Sequence, residues 1–149
     1  METYTLIYYE GLMGIFFQWL YNGLVKDIIK AYPHIKVERR HWLSKEMVNN
    51  PYAIVIGHSL GANAANRNTF KCKVLFTLDC RDGFHGEYKS NLNKLGRGLH
   101  FNYYQKSLGL PGYPIDGAIN ERVESSHLGI VKHPVVYNGV MEVIDRAMK

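Results

Sequence analysis

One serine, at the junction of an apolar run and a stretch of small residues, is well placed to do chemistry. Ser59 is the central residue of a GHSLG segment (57–61), which follows the apolar run 52–56 and precedes the small residues 62–65. These flanks predict a strand before Ser59 and a helix after it, with the serine on a sharp turn. Gly57 and Gly61 carry no side chains that would collide in such a turn. The pattern predicts a nucleophilic serine, and a serine that only caps the helix is the alternative.

A serine hydroxyl needs a neighbouring base, and histidine has a pKa suited to that task. Among seven histidines, His127 is the candidate because its loop follows the last predicted strand and precedes the predicted C-terminal helix. A surface histidine without a role is the alternative. His58, inside the GHSLG segment, is expected to point away from Ser59 because side chains alternate along a strand, and so to pack.

A carboxylate is also needed, because it fixes the tautomer of the imidazole and stabilises its charged form. Asp79 ends the predicted strand that follows the helix behind Ser59, at the sheet edge where the sites of parallel sheets collect. Asp116 is the alternative, since it comes after the next strand, although its setting before Gly117 is also typical of a turn. Asp82 is a third and weaker candidate.

The elements that must position these residues alternate between strands and helices. The patterns predict strands over 3–9, 35–38, 52–56, 73–79, 99–105 and 118–123, and helices over 14–32, 44–49, from the serine to about 68, and from 134 to the C-terminus. This alternation predicts a single α/β domain, with a mostly parallel sheet of five or six strands and helices on both faces. Right-handed crossovers predict the strand order second, first, third, fourth, fifth, sixth, with the strand before Ser59 in the centre.

The segment GHSLGA (57–62) resembles the nucleophile elbow of α/β-hydrolase lipases and esterases. The resemblance implies a parallel sheet, an acid and a histidine later in the chain, and an oxyanion loop earlier. In the lipases that it resembles, the catalytic histidine lies in a loop like that of His127. Asp79 is similar to the strand-end acid of pancreatic-type lipases, whereas most α/β hydrolases keep the acid where Asp116 lies. The chain departs from the family at Glu10-Gly11, where a His-Gly pair is common.

An oxyanion hole needs two backbone N–H donors that point at one position. The N–H of Leu60, directly after the serine, is one candidate. The loop after the first strand supplies the second, from Leu12 or alternatively from Met13. Apolar side chains on loops at the same end of the sheet are predicted to line an acyl pocket, or else to pack on one another: Leu12, Met13, Leu108, Leu110, Pro111 and Tyr113.

Composition limits the classes of protein that the chain can belong to. With 149 residues, of which 46% are hydrophobic and 21% charged, it is expected to fold as one globular domain. The net charge of +5 is scattered and is not interleaved with aromatics, so nucleic acid is not a predicted partner. No apolar run approaches the roughly 20 residues of a membrane span. The absence of a signal-peptide pattern, with Cys72 and Cys80 expected as free thiols, favours the cytoplasm.

Together these features predict a serine hydrolase that cleaves small-molecule or lipid-like carboxylic esters through an acyl-enzyme, with no cofactor and no metal. An acyltransferase, thioesterase or amidase with the same three residues is an alternative, because the pocket selects the acyl acceptor. A non-catalytic binding module on the same scaffold is another. A phosphate-binding protein ranks last, since the glycine turn lacks the Lys-Ser/Thr of a P-loop. The oligomeric state and the acyl-chain preference stay open.

Overall fold

The computed structural model describes residues 2–81, 88–92, 96–107 and 109–149. Its strands, in chain order, are β1 (Thr5–Tyr9), β2 (Lys36–Arg40), β3 (Val48–Asn49), β4 (Ala53–His58), β5 (Thr69–Lys71), β6 (Val74–Leu78), β7 (Leu99–Tyr104) and β8 (Ile119–Arg122). Its α-helices are α1 (Gly14–Phe17), α2 (Lys26–Ala31), α3 (Leu60–Asn68) and α4 (Pro134–Met148). A π-helical segment (Tyr21–Val25) leads into α2, and a 3₁₀ turn (Gly129–Lys132) precedes α4.

Six of the strands form one parallel sheet in the order β2-β1-β4-β6-β7-β8. Counted along the chain within this sheet, the order is second, first, third, fourth, fifth, sixth. The predicted order is therefore confirmed, and β4, which leads into Ser59, lies between β1 and β6. The fold is the predicted α/β domain. Parallel strands place all their carboxyl ends at one edge, so residues that follow β1, β4, β6 and β7 meet there.

Helices cover both faces of the sheet, which explains why its central strands are buried along their whole length and mostly apolar. All residues of β1, β4 and β6 are buried, whereas β8 at the edge is exposed. On one face, α4 buries Val136, Val140 and Ile144 in the larger core cluster. On the other face, the small residues Ala64 and Ala65 let α3 pack closely on the sheet.

The predicted long helix over 14–32 is broken into shorter segments. The first, α1, ends at Gln18, whose φ of 51° lies in the left-handed region. A second start follows, at which the carboxylate of Glu10 accepts hydrogen bonds from the backbone N–H groups of Leu20 (3.2 Å) and Tyr21 (2.8 Å). An acid at this position satisfies donors that a helix start leaves unpaired. The break therefore depends on a residue from the end of β1, outside the window of the helical pattern.

The predicted helix over 44–49 is wrong. Val48–Asn49 instead forms the short strand β3, which pairs in parallel with β5 outside the main sheet. Val48 is buried in the core cluster on the α3 side. Pairing with a strand some twenty residues later is a long-range contact, and it overrides the weak local preference of a short segment.

Neither cysteine forms part of a disulfide. Cys72 and Cys80 are both buried as thiols, and burial raises the pKa of Cys72 to about 12. Within the described ranges, no helix is both long enough and apolar enough to cross a bilayer.

Candidate active site

Ser59 lies on the turn between β4 and α3 in a conformation that few non-glycine residues adopt. Its φ is 58° and its ψ is −125°. Such a backbone costs on the order of 1–3 kcal/mol and persists only where the surroundings enforce it. The two glycines make the turn possible: a Cβ on Gly57 would lie 2.5 Å from the carbonyl oxygen of Gly61, and one on Gly61 would lie 2.3 Å from that of Tyr9. The turn thus packs against the end of β1 and directs the serine side chain out of the sheet.

His127 lies beside this serine, in the loop between β8 and the 3₁₀ turn. Its Nε2 is 2.9 Å from Ser59 Oγ, and its Nδ1 makes a hydrogen bond with Asp79 Oδ2. An ionised carboxylate can only accept, so the Asp79 contact assigns the ring proton to Nδ1. Nε2 then carries a lone pair and accepts the hydroxyl proton of Ser59. The three predicted side chains are therefore in one continuous line of hydrogen bonds.

Asp79 is fully buried, at the end of β6, and its carboxylate is well supplied with donors. Its Oδ1 accepts from the backbone N–H of Gln105 at 3.3 Å, and its Oδ2 accepts from the Gln105 side-chain amide at 2.7 Å. The same amide also donates to the carbonyl of Leu110. Burying a carboxylate is costly unless such partners compensate it. Gln105, which directly follows β7, therefore fixes the Asp79 carboxylate that contacts His127.

The alternative acid does not meet His127. Asp116 is exposed, and its backbone pairs with the segment around Lys89: its N–H donates to the carbonyl of Tyr88 and its carbonyl accepts from Ser90. It is a turn residue, as its Pro-Ile-Asp-Gly setting allowed. Asp82 lies outside the described residues.

His58 packs against His127. It is almost completely buried, and its Nε2–H donates to the main-chain carbonyl of His127 at 2.9 Å. The two ring centroids are 5.0 Å apart. Burial, together with the neighbouring imidazole of His127, lowers the pKa of His58 to about 4, so the ring is neutral at pH 7. Its Nδ1 has no partner among the residues that the structure describes.

A cavity of about 360 Å³ opens onto Ser59 and His127. Of the residues expected in the pocket, Leu12, Met13 and Leu110 line it. Pro111 and Tyr113 do not, which corrects the prediction: the ring of Tyr113 stacks on Tyr88 with a centroid separation of 5.1 Å. Leu108 lies outside the described residues. Three further residues, which no sequence pattern indicated, also line the cavity: Trp19, Arg81 and Leu128.

The candidate oxyanion donors lie on two segments that approach Ser59. Leu60 is the first residue of α3, so its N–H has no acceptor within the helix and lies at the positive end of the helix dipole. The loop after β1 comes close because Gly11 has no side chain: a Cβ there would lie 3.0 Å from Ser59 Cβ. Leu12 and Met13 follow in this loop, with half-exposed side chains.

Glu10, at the position where the resemblance implies that histidine is common, anchors the start of that loop. It is buried, and burial raises the pKa of its carboxyl group. Its hydrogen bonds to Leu20 and Tyr21 tie the end of β1 to the following helical segment. Its position in the sequence could have indicated this role, because an acidic side chain directly after a buried strand needs hydrogen-bond donors.

A larger groove of about 490 Å³ lies at the other end of β1, beside Tyr4, Pro33 and Met148. Size does not make it the better candidate, because it contains none of the groups described above. In the described part of the chain, no cluster of His, Cys, Asp and Glu side chains is arranged to bind a metal ion.

Comparison with known proteins gives no family to which these groups can be referred. No family model matches the chain, and no curated protein matches it. The chemistry of the site is therefore argued from its geometry.

Proposed function

We propose that the protein is a serine hydrolase that cleaves carboxylic esters through an acyl-enzyme. The observation that carries the proposal is the line of contacts from Ser59 Oγ through the His127 ring to Asp79, at the mouth of an apolar cavity. The strained turn at Ser59, the parallel sheet behind it and the resemblance of GHSLG to an α/β-hydrolase elbow support the same interpretation.

In the proposed first step, Ser59 Oγ attacks the ester carbonyl carbon while its proton moves to His127 Nε2. The imidazolium that forms is stabilised by Asp79, which accepts the Nδ1 hydrogen. The carbonyl oxygen becomes negative, and the backbone N–H groups of Leu60 and Leu12 are the proposed donors to it. When the tetrahedral intermediate collapses, Nε2 returns its proton to the departing alcohol and the acyl group stays on Ser59.

In the second step a water molecule takes the place of the alcohol. His127 Nε2 accepts a proton from the water as its oxygen attacks the acyl carbon. Collapse of this second intermediate releases the acid, and the proton on Nε2 returns to Ser59 Oγ. The same residues serve both steps, so a defect in any of them should slow acylation and deacylation alike.

The contacts favour this proposal over a non-catalytic binding module. Such a module predicts Ser59 and His127 outside hydrogen-bond range, whereas Oγ and Nε2 are 2.9 Å apart. Moreover, the fully buried Asp79 orients the imidazole of His127, and a binding module would not need an oriented imidazole.

The test is hydrolysis of p-nitrophenyl butyrate by the wild-type protein and by Ser59→Ala. We expect turnover by the wild type and loss of it in the variant. Equal rates for the two proteins would reject the proposal. Product analysis with an added alcohol or amine then distinguishes water from another acyl acceptor, and so a hydrolase from an acyltransferase.

A further inference from the structure

Arg81 is a cation in the wall of the cavity beside Ser59. It follows Asp79 by two residues, and its backbone N–H donates to the carbonyl of Ser59 at 3.2 Å. Its guanidinium donates through Nη1 to the carbonyl of Pro111 at 3.2 Å, and the residue is half-buried. These two hydrogen bonds fix the main chain and the head group of Arg81 at the candidate active site.

This guanidinium has no acidic partner in the part of the chain that the structure describes. The side chains of Arg40, Arg122 and Arg146 pair with glutamates, whereas Arg67 donates to the carbonyl of Trp42 and Arg97 lies over the ring of Phe70. A guanidinium has five N–H donors, and Pro111 takes one of them. With respect to the residues that the structure describes, donors of Arg81 therefore remain that can bind an anion.

The rest of the cavity wall is largely apolar. Besides the groups of the site itself, it is lined by Leu12, Met13, Trp19, Leu110 and Leu128. Apolar walls reduce the water around the guanidinium and so strengthen its attraction for an anion. Carboxylates and phosphates match its planar geometry with two parallel hydrogen bonds.

We propose that the substrate is an amphiphilic ester that carries an anionic group, a carboxylate or a phosphate, bound by Arg81. The apolar walls then contact its carbon chain. That the substrate is an ester rests on the function proposed above, whereas recognition of its anionic group rests on Arg81 alone.

The test measures binding in the Ser59→Ala background, where no turnover occurs. The probes are monoethyl adipate, which is a carboxylate, ethyl 4-(phosphonooxy)butanoate, which is a phosphate, and diethyl adipate, which is neutral. We expect at least one anionic ester to bind about tenfold more tightly than diethyl adipate, and the comparison of the two anions identifies the preferred group. In Ser59→Ala/Arg81→Gln this preference is expected to disappear.

Two further variants make the test specific. Ser59→Ala/Arg146→Gln removes the same charge from the exposed end of α4 and should keep the full preference. Ser59→Ala/Arg81→Lys keeps the charge but not the bidentate geometry, and should keep a reduced preference. Because it keeps the charge, it also allows the test if Arg81→Gln fails to fold.

Equal affinity for neutral and anionic probes would overturn the inference, and so would a preference that survives both changes at Arg81. It would also fail if Arg81→Gln weakened all three probes equally, because Arg81 would then act only by fixing the segment at Pro111. Turnover of p-nitrophenyl butyrate by the wild-type protein tests the proposed function separately. Failure of one proposal is thus distinguishable from failure of the other.

Discussion

Among the described residues, two serine hydroxyls lie within hydrogen-bond distance of a histidine ring, and only one of these pairs is a candidate for chemistry. At the carboxyl edge, Ser59 Oγ is 2.9 Å from His127 Nε2. Inside the fold, Ser90 Oγ is 2.7 Å from His100 Nδ1. The second pair is the closer one, so distance alone does not distinguish a nucleophile from a structural hydroxyl.

What distinguishes the pairs is the third partner and the surroundings. The other nitrogen of His127 meets the carboxylate of Asp79, whereas that of His100 meets the hydroxyl of Thr77 at 2.9 Å. A hydroxyl does not stabilise an imidazolium as a carboxylate does. Ser90 and His100 are both 3% exposed, and burial lowers the pKa of His100 to about 4. His100 is therefore a poor base at neutral pH, and Ser59 lies instead at a cavity that a substrate can enter.

The sharpest contrast comes from removing each serine hydroxyl. Ser59→Ala is expected to lower kcat for p-nitrophenyl butyrate by about 10⁴-fold or more, since losing a nucleophile removes the whole acyl-enzyme route. Ser90→Ala should leave kcat within about twofold and lower the free energy of unfolding by about 1 kcal/mol, through a lost buried hydrogen bond. Comparable losses of kcat in the two variants would mean that the pairs do not differ in the proposed way.

The third partners give the next largest contrast. Asp79→Asn keeps the shape of the side chain but can leave the His127 proton on the wrong nitrogen, and it should lower kcat by about 10³-fold or more. Thr77→Val, the matched change beside His100, should leave kcat within about twofold. Steady-state kinetics with folding checked by circular dichroism measure both. Full activity in Asp79→Asn would show that the reaction does not require the carboxylate of Asp79.

A smaller effect is expected at His58. Its Nε2–H donates to the carbonyl of His127, so His58→Leu removes a hydrogen bond that fixes the loop of His127. Loss of roughly 1.4 kcal/mol corresponds to about a tenfold fall in kcat. KM should change little, because the effect is on orientation of the base. A change confined to KM would show that His58 acts on the pocket instead.

The smallest effect on rate, but a clear one on stability, concerns pH. Burial lowers the pKa of both His58 and His100 from 6.5 to about 4 in the folded protein. Between pH 4 and 6.5 the unfolded chain therefore binds more protons than the folded one. The free energy of unfolding consequently falls as the pH falls from 6.5 to 4. Each histidine contributes about 3 kcal/mol to this loss. In urea unfolding, the free energy of unfolding of His100→Asn should depend less steeply on pH between 4 and 6.5 than that of the wild type. The same pH dependence in both proteins would contradict the lowered pKa of His100.

Much of the architecture follows from local sequence signals. The buried apolar runs of β1, β4 and β6, with right-handed crossovers, determine the strand order. That order places the ends of β4 and β6 at one edge, where Ser59 and Asp79 meet. Candidate site residues at strand ends could therefore be named from the sequence. Which of Asp79 and Asp116 contacts His127 could be decided only from the three-dimensional structure.

Contacts between distant segments could not be named in this way. Gln105 supports Asp79 only because β7 lies beside β6, and no local pattern marks a glutamine for that role. The helix predicted over 44–49 failed for the same reason, since β3 exists through its pairing with β5. Tyr113 was expected in the pocket, yet a single aromatic in a glycine-rich loop can stack elsewhere, as it does on Tyr88.

One measurement tests the central claim most directly: the site at which a fluorophosphonate probe reacts, located by peptide mass spectrometry. Such probes form an adduct with an activated serine and depend on a neighbouring base. We expect a single adduct on Ser59 that is lost in His127→Ala, while Ser90 stays unmodified. An adduct on another residue, or no adduct on the folded wild-type protein, would contradict the claim that His127 and Asp79 activate Ser59.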